Sequence, residues 1–301
     1  MNERSGSNLK AKLILLAGVF SCSMSSAFFR YMTAPSTIAA TYRLGWTVLL
    51  LTPLIFSKRE TRKELLSLKG KDLAFCGLSG LFLAMHFVVW FESLSNTSIA
   101  SSTVLVNTEV AFAAFGYLIF FGKKIRKKEI LAIGIAFLGS VVIAMADTGG
   151  GAGKNAVLGD ILALLAAFFS ACYTLIGTRE RSHMSTMVYT YVLYWGCFLS
   201  LLVFDAVSGV PMTGYEPINW IMSLCLAVFC TLLGHSVFSW SLKFLTPTYV
   251  STVKLAGPVF ASISAILLFG EIPGLIQVAG AAVVLAMVIG GAIGIRLAKK
   301  V

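Results

Sequence analysis

The chain has 301 residues, of which 57% are hydrophobic and 12% are charged, and its mean hydropathy is +0.87. A soluble domain carries about 25% charged residues, so this composition excludes a water-soluble protein and predicts that lipid surrounds most of the chain. The formal net charge of +11 does not indicate nucleic acid as a partner. The basic residues lie in short stretches between apolar runs, whereas a nucleic-acid surface needs a basic face on a soluble module.

Ten apolar runs are long enough to cross the hydrocarbon core as helices. In chain order they cover 11–31, 36–56, 73–94, 98–121, 130–146, 158–178, 185–208, 219–243, 247–269 and 275–295. The first run resembles a signal peptide in charge and length, but it has no convincing small-residue cleavage site. It also has a counterpart in mid-chain, so we predict that it belongs to the fold.

The chain repeats itself at a shift of 149 residues. Residues 11–46 align with 160–195 without a gap and are identical at thirteen positions. Matches of rare residue types in one register carry the most weight, and they include Tyr42/Tyr191, Trp46/Trp195 and, further on, His86/His235. The sequence therefore predicts two homologous units, 1–148 and 149–301, of five helices each.

The basic residues predict that the two units are inverted. If the N-terminus is cytoplasmic, twenty of the 24 Lys and Arg residues fall in cytoplasmic segments, and only Arg30 and Lys154 in the opposite ones. The loop before the fifth helix (GKKIRKK, 122–128) is basic, while its equivalent in the second unit (GEIPGLI, 270–276) has no base. By the positive-inside rule, we predict an all-α membrane protein of ten transmembrane helices in two inverted five-helix repeats. Its location is the inner (cytoplasmic) membrane, with both termini in the cytoplasm.

Three stretches of the sequence carry a resemblance to a known family. They are HFVVWFESLSNTSIASSTVLVNTEVAFAAF (86–115), GDILALLAAFFSACYTLIG (159–177) and GHSVFSWSLKFLTPTYVSTVKLAGPVFASISAILLFGEIP (234–273). Over essentially its whole length the chain resembles the EamA branch of the drug/metabolite transporter superfamily. The resemblance implies a transporter whose central cavity is lined by the first, third, fourth, sixth, eighth and ninth helices. It does not fix the cargo, because relatives move amino acids, other metabolites, nucleotide-linked compounds and toxic cations.

Two charged residues depart from the family pattern and are the leading site candidates. Glu109 precedes Val110, which replaces a proline of the fourth helix, and Lys254 lies one turn before Gly257, which replaces an acid of the ninth. A charge in hydrocarbon costs roughly 3 kcal/mol and normally faces protein or water. We predict that the two charges bind a polar substrate, or that Glu109 takes up a coupling proton. The alternative is a structural ion pair that closes the cavity in one state.

Further candidates are polar or aromatic side chains in the predicted spans. His86 and His235 are equivalent in the repeat and are candidates for proton transfer, with interhelical hydrogen bonding as the alternative. Arg43 in the second helix is predicted to act in packing or in pairing at a gate, with substrate binding as the alternative. Substrate contact is one interpretation, and a scaffold role the other, for Trp90, Asn107, Tyr173 and Trp240.

The motifs of other protein classes are missing from the sequence. There is no H-E-x-x-H, G-x-S-x-G or phosphate-binding G-x-x-x-x-G-K-[ST] pattern, so we predict no enzyme, no ATP motor, no metal and no cofactor. The six cysteines lie in apolar runs without a C-x-x-C pair and are expected to be buried hydrophobes.

The predicted function is secondary active export of a small, polar, amino-acid-like metabolite by alternating access, with proton coupling as an option. The alternatives are a multidrug or toxic-cation exporter, a metabolite importer and, from another class, a channel or a non-transporting scaffold. The predicted partners are the small-molecule substrate and the lipid bilayer, and the protein is expected to be a monomer or a weak homodimer.

Overall fold

The computed structural model describes residues 2–97, 105–122 and 155–257, together with the positions 102, 127, 130–131, 134–135, 138, 259–261, 263, 267, 275, 278–279 and 282–283. Every regular element within these residues is helical. In chain order they are α1 (Asn2–Ser23), α2 (Ser25–Arg30), α3 (Ser36–Ser57), α4 (Arg59–Leu66), α5 (Gly70–Asn96), α6 (Glu109–Phe121), α7 (Ala156–Glu180), α8 (Thr186–Ser208), α9 (Pro217–Cys225), a π-helix (Leu226–His235), α10 (Ser236–Ser241) and α11 (Pro247–Lys254).

Six helical stretches have the length and hydropathy to cross a membrane. They are Leu9–Arg30, Ser36–Ser57, Gly70–Asn96, Val157–Glu180, Thr186–Ser208 and Pro217–Ser241. These coincide with the first three predicted spans and with the sixth to the eighth. The fourth span is represented by the apolar helix α6 and the ninth by α11, while most of the fifth and tenth spans lies outside the described residues. The prediction of an all-α membrane protein is confirmed.

The helices pack in the pattern of the internal repeat. Helix α5 packs along α7, and the equivalent pair, the π-helix and α1, also pack together. Two further interfaces follow the repeat at the level of whole spans: α3 with α8 joins the second span to its equivalent, the seventh, and α6 with α11 joins the fourth span to its equivalent, the ninth. This pattern is the one expected of two homologous units with two-fold symmetry, because each interface between the units then has an equivalent.

Glycine allows α5 and α8 to approach closely. A Cβ atom placed on Gly80 would lie 2.5 Å from the carbonyl oxygen of Leu193 and 2.6 Å from the backbone nitrogen of Cys197. In lipid, helices associate through close packing of small residues, since the surrounding hydrocarbon supplies no hydrophobic force between them. The contact brings the large buried rings of Phe87 and Tyr194 into one core.

Several predicted spans are interrupted inside their apolar runs. The first is broken at Met24, between α1 and α2, and the ninth turns after Lys254. In the fourth span α6 begins only at Glu109, after a turn. The eighth span contains the π-helix, in which the Thr231 hydroxyl also donates to the carbonyl of Leu226 at 3.3 Å. Such interruptions are frequent at functional sites.

Candidate functional site

A cavity of about 130 Å³ lies where these interruptions meet. Its lining comes from the first, second, third, fourth, sixth, eighth and ninth spans, so the structure adds the second helix to the set that the family resemblance implies. Seven of the residues selected from the sequence line it: Arg43, His86, Trp90, Asn107, Glu109, His235 and Lys254.

Turns within the first, fourth and ninth spans lie at the cavity. Ser23 and Ser25 flank the break in the first span, Asn107 precedes α6, and Gly257 follows the turn in the ninth span. Irregular backbone at membrane depth is tolerated only where it faces protein or a water-filled space. The breaks therefore indicate that this part of the bundle contains a polar interior.

Glu109 and Lys254 form an ion pair at the cavity. The Lys254 Nζ lies 2.5 Å from Glu109 Oε2. Ser170 donates to the same oxygen at 2.8 Å and Ser251 donates to Oε1 at 3.0 Å, so both carboxylate oxygens have partners. The ammonium also lies 5.3 Å from the centroid of the Phe238 ring, within the range of a cation–π contact. The structure thus shows the paired arrangement that the sequence left as one of its alternatives.

Both members of this pair lie next to turns in their spans. Glu109 is the first residue of α6 and Lys254 is the last residue of α11. The backbone stays right-handed helical through both turns, and the amides of Val110 and Leu255 donate to the carbonyls of Asn107 and Thr252. The ion pair therefore lies where the fourth and ninth spans depart from regular α-helix.

The two repeat-equivalent histidines lie side by side, with ring centroids 6.4 Å apart. His86 Nδ1 is 2.9 Å from the carbonyl oxygen of Ala166 and must donate its proton, because a carbonyl only accepts. His235 Nδ1 is 3.2 Å from the Tyr173 hydroxyl. Both contacts join different helices, as the structural interpretation of these residues predicts. Proton transfer by either histidine stays a prediction.

Two aromatic candidates occupy other positions. Tyr173 is buried, and its hydroxyl contacts the cavity-lining residue His235. Its ring centroid lies 5.9 Å from Lys254 Nζ. Trp240 is not among the described residues that line the cavity, and its ring packs on Phe244 with centroids 4.8 Å apart. The structure therefore does not place Trp240 where it would contact a cargo in this cavity.

Arg43 is fully buried and lines the cavity. Its Nε donates to the Thr231 hydroxyl at 2.7 Å, and its guanidinium carbon lies 4.3 Å from the centroid of the Phe87 ring. The two terminal nitrogens have no hydrogen-bond partner in the described part of the chain. The sequence predicted packing or gating for Arg43 with substrate binding as the alternative, and in the structure Arg43 lines the cavity.

Sequence reasoning missed the serines that support Glu109. Ser170 is identical to its repeat equivalent Ser21, which suggests a shared scaffold role. In the structure Ser21 donates to the backbone carbonyl of Phe229 at 2.7 Å, while Ser170 donates to Glu109. The two serines are identical in the repeat but have different hydrogen-bond partners, because the partner of each serine lies on another helix.

The model of the EamA-like transporter family matches this chain twice, at residues 9–145 and 157–292. The chain belongs to the EamA-like transporter family. An uncharacterized transporter of Clostridium kluyveri is 27% identical over 74% of this EamA-like protein and 72% of its own length. A Salmonella typhimurium protein named "probable amino-acid metabolite efflux pump" is 26% identical over 60% of this chain and 62% of its own length.

A solved crystal structure has the same fold as this EamA-like transporter. It covers 97% of the chain and 98% of its own, with a TM-score of 0.73 and 17% sequence identity. At that identity the match concerns the fold alone. Family membership and the apolar helices establish a multi-pass membrane transporter.

Proposed function

We propose that this EamA-like transporter exports a small, polar, amino-acid-like metabolite by secondary active, alternating-access transport. The observation that carries the proposal is the Glu109–Lys254 ion pair between the fourth and ninth spans at a cavity. A buried pair of opposite charges suits a cargo that carries polar or charged groups, and intramembrane charges mark substrate or ion pathways in transporters. Two relatives named "probable amino-acid metabolite efflux pump", from Salmonella typhimurium and Escherichia coli, agree with this choice.

The ion pair also suggests how access alternates. In the structure it joins α6 to α11, one helix from each proposed unit (1–148 and 149–301). A substrate charge or a proton that replaces one partner of the pair would free the two helices to separate. Such a ligand shifts the conformational equilibrium only through its difference in affinity for the two states. Discontinuous helices that meet at a binding site are common in inverted-repeat transporters.

Orientation completes the proposal. We propose that both termini lie in the cytoplasm and the protein in the cytoplasmic membrane, and the asymmetry of basic residues supports this orientation. In that orientation Ser25, Ser26 and Trp90 of the cavity lie toward the outer ends of their helices. Glu109 and the two histidines are the groups we propose for proton coupling.

Transport by purified protein in proteoliposomes tests the proposal. Labelled amino acids from a panel are offered outside vesicles that contain the unlabelled compound, with and without a pH gradient. We expect saturable uptake and counterflow for at least one compound, a reduction of at least about tenfold in Glu109→Gln, and wild-type flux in the control Glu216→Gln, whose side chain is exposed. Flux without saturation or counterflow indicates a channel, and wild-type transport by Glu109→Gln contradicts the site assignment.

A further inference from the structure

We infer that the cavity binds a carboxylate group of its cargo at Arg43, and that the transported metabolite is therefore an organic acid or an amino acid and not an organic cation. The inference deepens the proposed function. Binding of a carboxylate is argued from the cavity itself, and transport of the bound compound rests on the proposed function. Its basis is a difference between the charged side chains of the cavity. Glu109 is saturated with partners, and Arg43 is not.

The position of Arg43 is fixed by contacts that leave its binding edge free. Thr231 accepts from Nε, and the Phe87 ring covers one face of the guanidinium. The two terminal nitrogens are buried and without partners among the described residues. A guanidinium presents parallel N–H groups that match the two oxygens of a carboxylate. The arrangement thus orients Arg43 while its hydrogen bonds to a ligand remain unmade.

The charges around the cavity also favour an anion. Lys254 and Glu109 compensate each other, whereas no described acidic side chain forms an ion pair with Arg43. A buried charge without a partner is costly, and removal of its partner is destabilising. An incoming carboxylate removes this cost, and an incoming ammonium increases the repulsion. Among the described residues that line it, the cavity therefore has one positive charge that no negative charge compensates.

The other unpartnered nitrogen atoms at the cavity agree with this polarity. Trp90 Nε1 and Asn107 Nδ2 are buried, lack hydrogen-bond partners in the described structure and belong to residues that line the cavity. Like the terminal nitrogens of Arg43, both atoms can only donate a hydrogen bond. The Ser25 Oγ at the cavity is also buried without a described partner, and its hydroxyl can donate as well as accept. A ligand with several acceptor oxygens satisfies the three nitrogen-bearing side chains and this hydroxyl together.

Matched ligands that differ in one group test the inference. Binding to purified full-length protein in lipid nanodiscs is measured by titration calorimetry for L-leucine against L-leucinamide, for L-phenylalanine against L-phenylalaninamide, and for benzoate and acetate. Each amide keeps the side chain and the ammonium but lacks the carboxylate. We expect at least one acid to bind at least about tenfold more tightly than its amide, which corresponds to about 1.4 kcal/mol.

Variants assign the effect to Arg43. Arg43→Gln should weaken binding of the acid by at least about tenfold, as expected for a lost charge-assisted hydrogen bond, with little change for the amide, and Arg43→Lys should restore part of it. Arg30→Gln removes the same charge from an exposed helix end and should bind like the wild type. If Arg43→Gln does not fold, the comparison of acid and amide on the wild-type protein still decides whether the cavity binds a carboxylate.

The possible outcomes separate this inference from the proposed function. Equal binding of acid and amide, no binding of any acid at millimolar concentration, or unchanged acid binding in Arg43→Gln overturns the inference. Counterflow of a carboxylate-free amine would overturn it while the transporter proposal stands. Arg43-dependent binding of an acid without counterflow would support a carboxylate site and contradict carrier transport.

Discussion

The Glu109 carboxylate has more partners than a mobile substrate-binding group needs. Lys254, Ser170 and Ser251 together satisfy both of its oxygens, and the residue is 5% exposed. A buried ion pair gains less from attraction than its geometry suggests, because both charges lose their hydration. Its effect is best seen in the free energy of unfolding, which should differ between the protein with both charges and a variant that keeps only one of them.

We predict that the two single variants are less stable than the double variant. Glu109→Gln leaves an ammonium and Lys254→Met leaves a carboxylate in the bundle, and each should cost roughly 3 kcal/mol. The double variant removes both charges and should recover at least half of the loss of either single variant. Thermal unfolding in detergent measures the four proteins as a cycle. Additive losses would show that the two charges are not coupled.

Thr231 shows which site residues the sequence cannot identify. Charged side chains in apolar runs stand out because hydrocarbon penalises them, so Glu109, Lys254 and Arg43 could be selected without a structure. A threonine in the same run has no such signal, since its hydroxyl can bond to its own helix. Its contact with Arg43 spans 188 residues and depends on how two helices pack, which the sequence does not state.

At the scale of helices, lengths were predictable and interruptions were not. The hydrocarbon thickness fixes the length of an apolar run that crosses it, so the starts and ends of α3 and α8 agree with the predicted runs within a residue or two. The π-helix in the eighth span and the turn before α6 have the same hydrophobic composition as ordinary helix. Hydropathy therefore contains no information about where these spans are interrupted.

The close contact between α5 and α8 predicts that a larger residue at Gly80 lowers the stability of the protein. Gly80→Ala places a methyl group against the backbone of Leu193 and Cys197, within 2.5 and 2.6 Å, and backbone cannot move aside as a flexible side chain can. We expect a loss of about 1–3 kcal/mol, as for other overpacked sites, seen as a lower thermal midpoint.

Gly77→Ala, one turn earlier on α5, is the matched control. A Cβ there meets no atom within 4 Å, and alanine favours helix over glycine by up to about 1 kcal/mol. Gly77→Ala should therefore be neutral or stabilising. Equal effects of the two substitutions would mean that the close approach at Gly80 does not limit stability.

The whole molecule combines a symmetric scaffold with an asymmetric site. The repeat-equivalent residues His86 and His235 lie side by side, with ring centroids 6.4 Å apart. The charged groups have no equivalents, because the repeat places Pro258 opposite Glu109, Leu105 opposite Lys254 and Val192 opposite Arg43. The scaffold could be predicted from the repeat for this reason, and the detailed geometry of the site could not.

The inverted arrangement predicts the location of the chain ends. Reporter domains that are active only in the cytoplasm or only outside it, fused separately to residues 1 and 301, should both report the cytoplasm. Arg30 and Lys154 should be accessible from the opposite side after substitution by cysteine and treatment with an impermeant reagent. Ends in different compartments would contradict two five-helix units of opposite direction.

The π-helix of the eighth span alters how that helix presents its side chains. A wider turn advances each residue by less than the 100° of an α-helix, so the face carried by α9 does not continue in phase into α10. A helical wheel drawn through 217–241 would therefore assign the wrong neighbours to Ser236–Ser241. Because Thr231 lies within the segment, any rewinding there would also turn its hydroxyl, and with it the only side-chain hydrogen bond that holds Arg43 in the described structure.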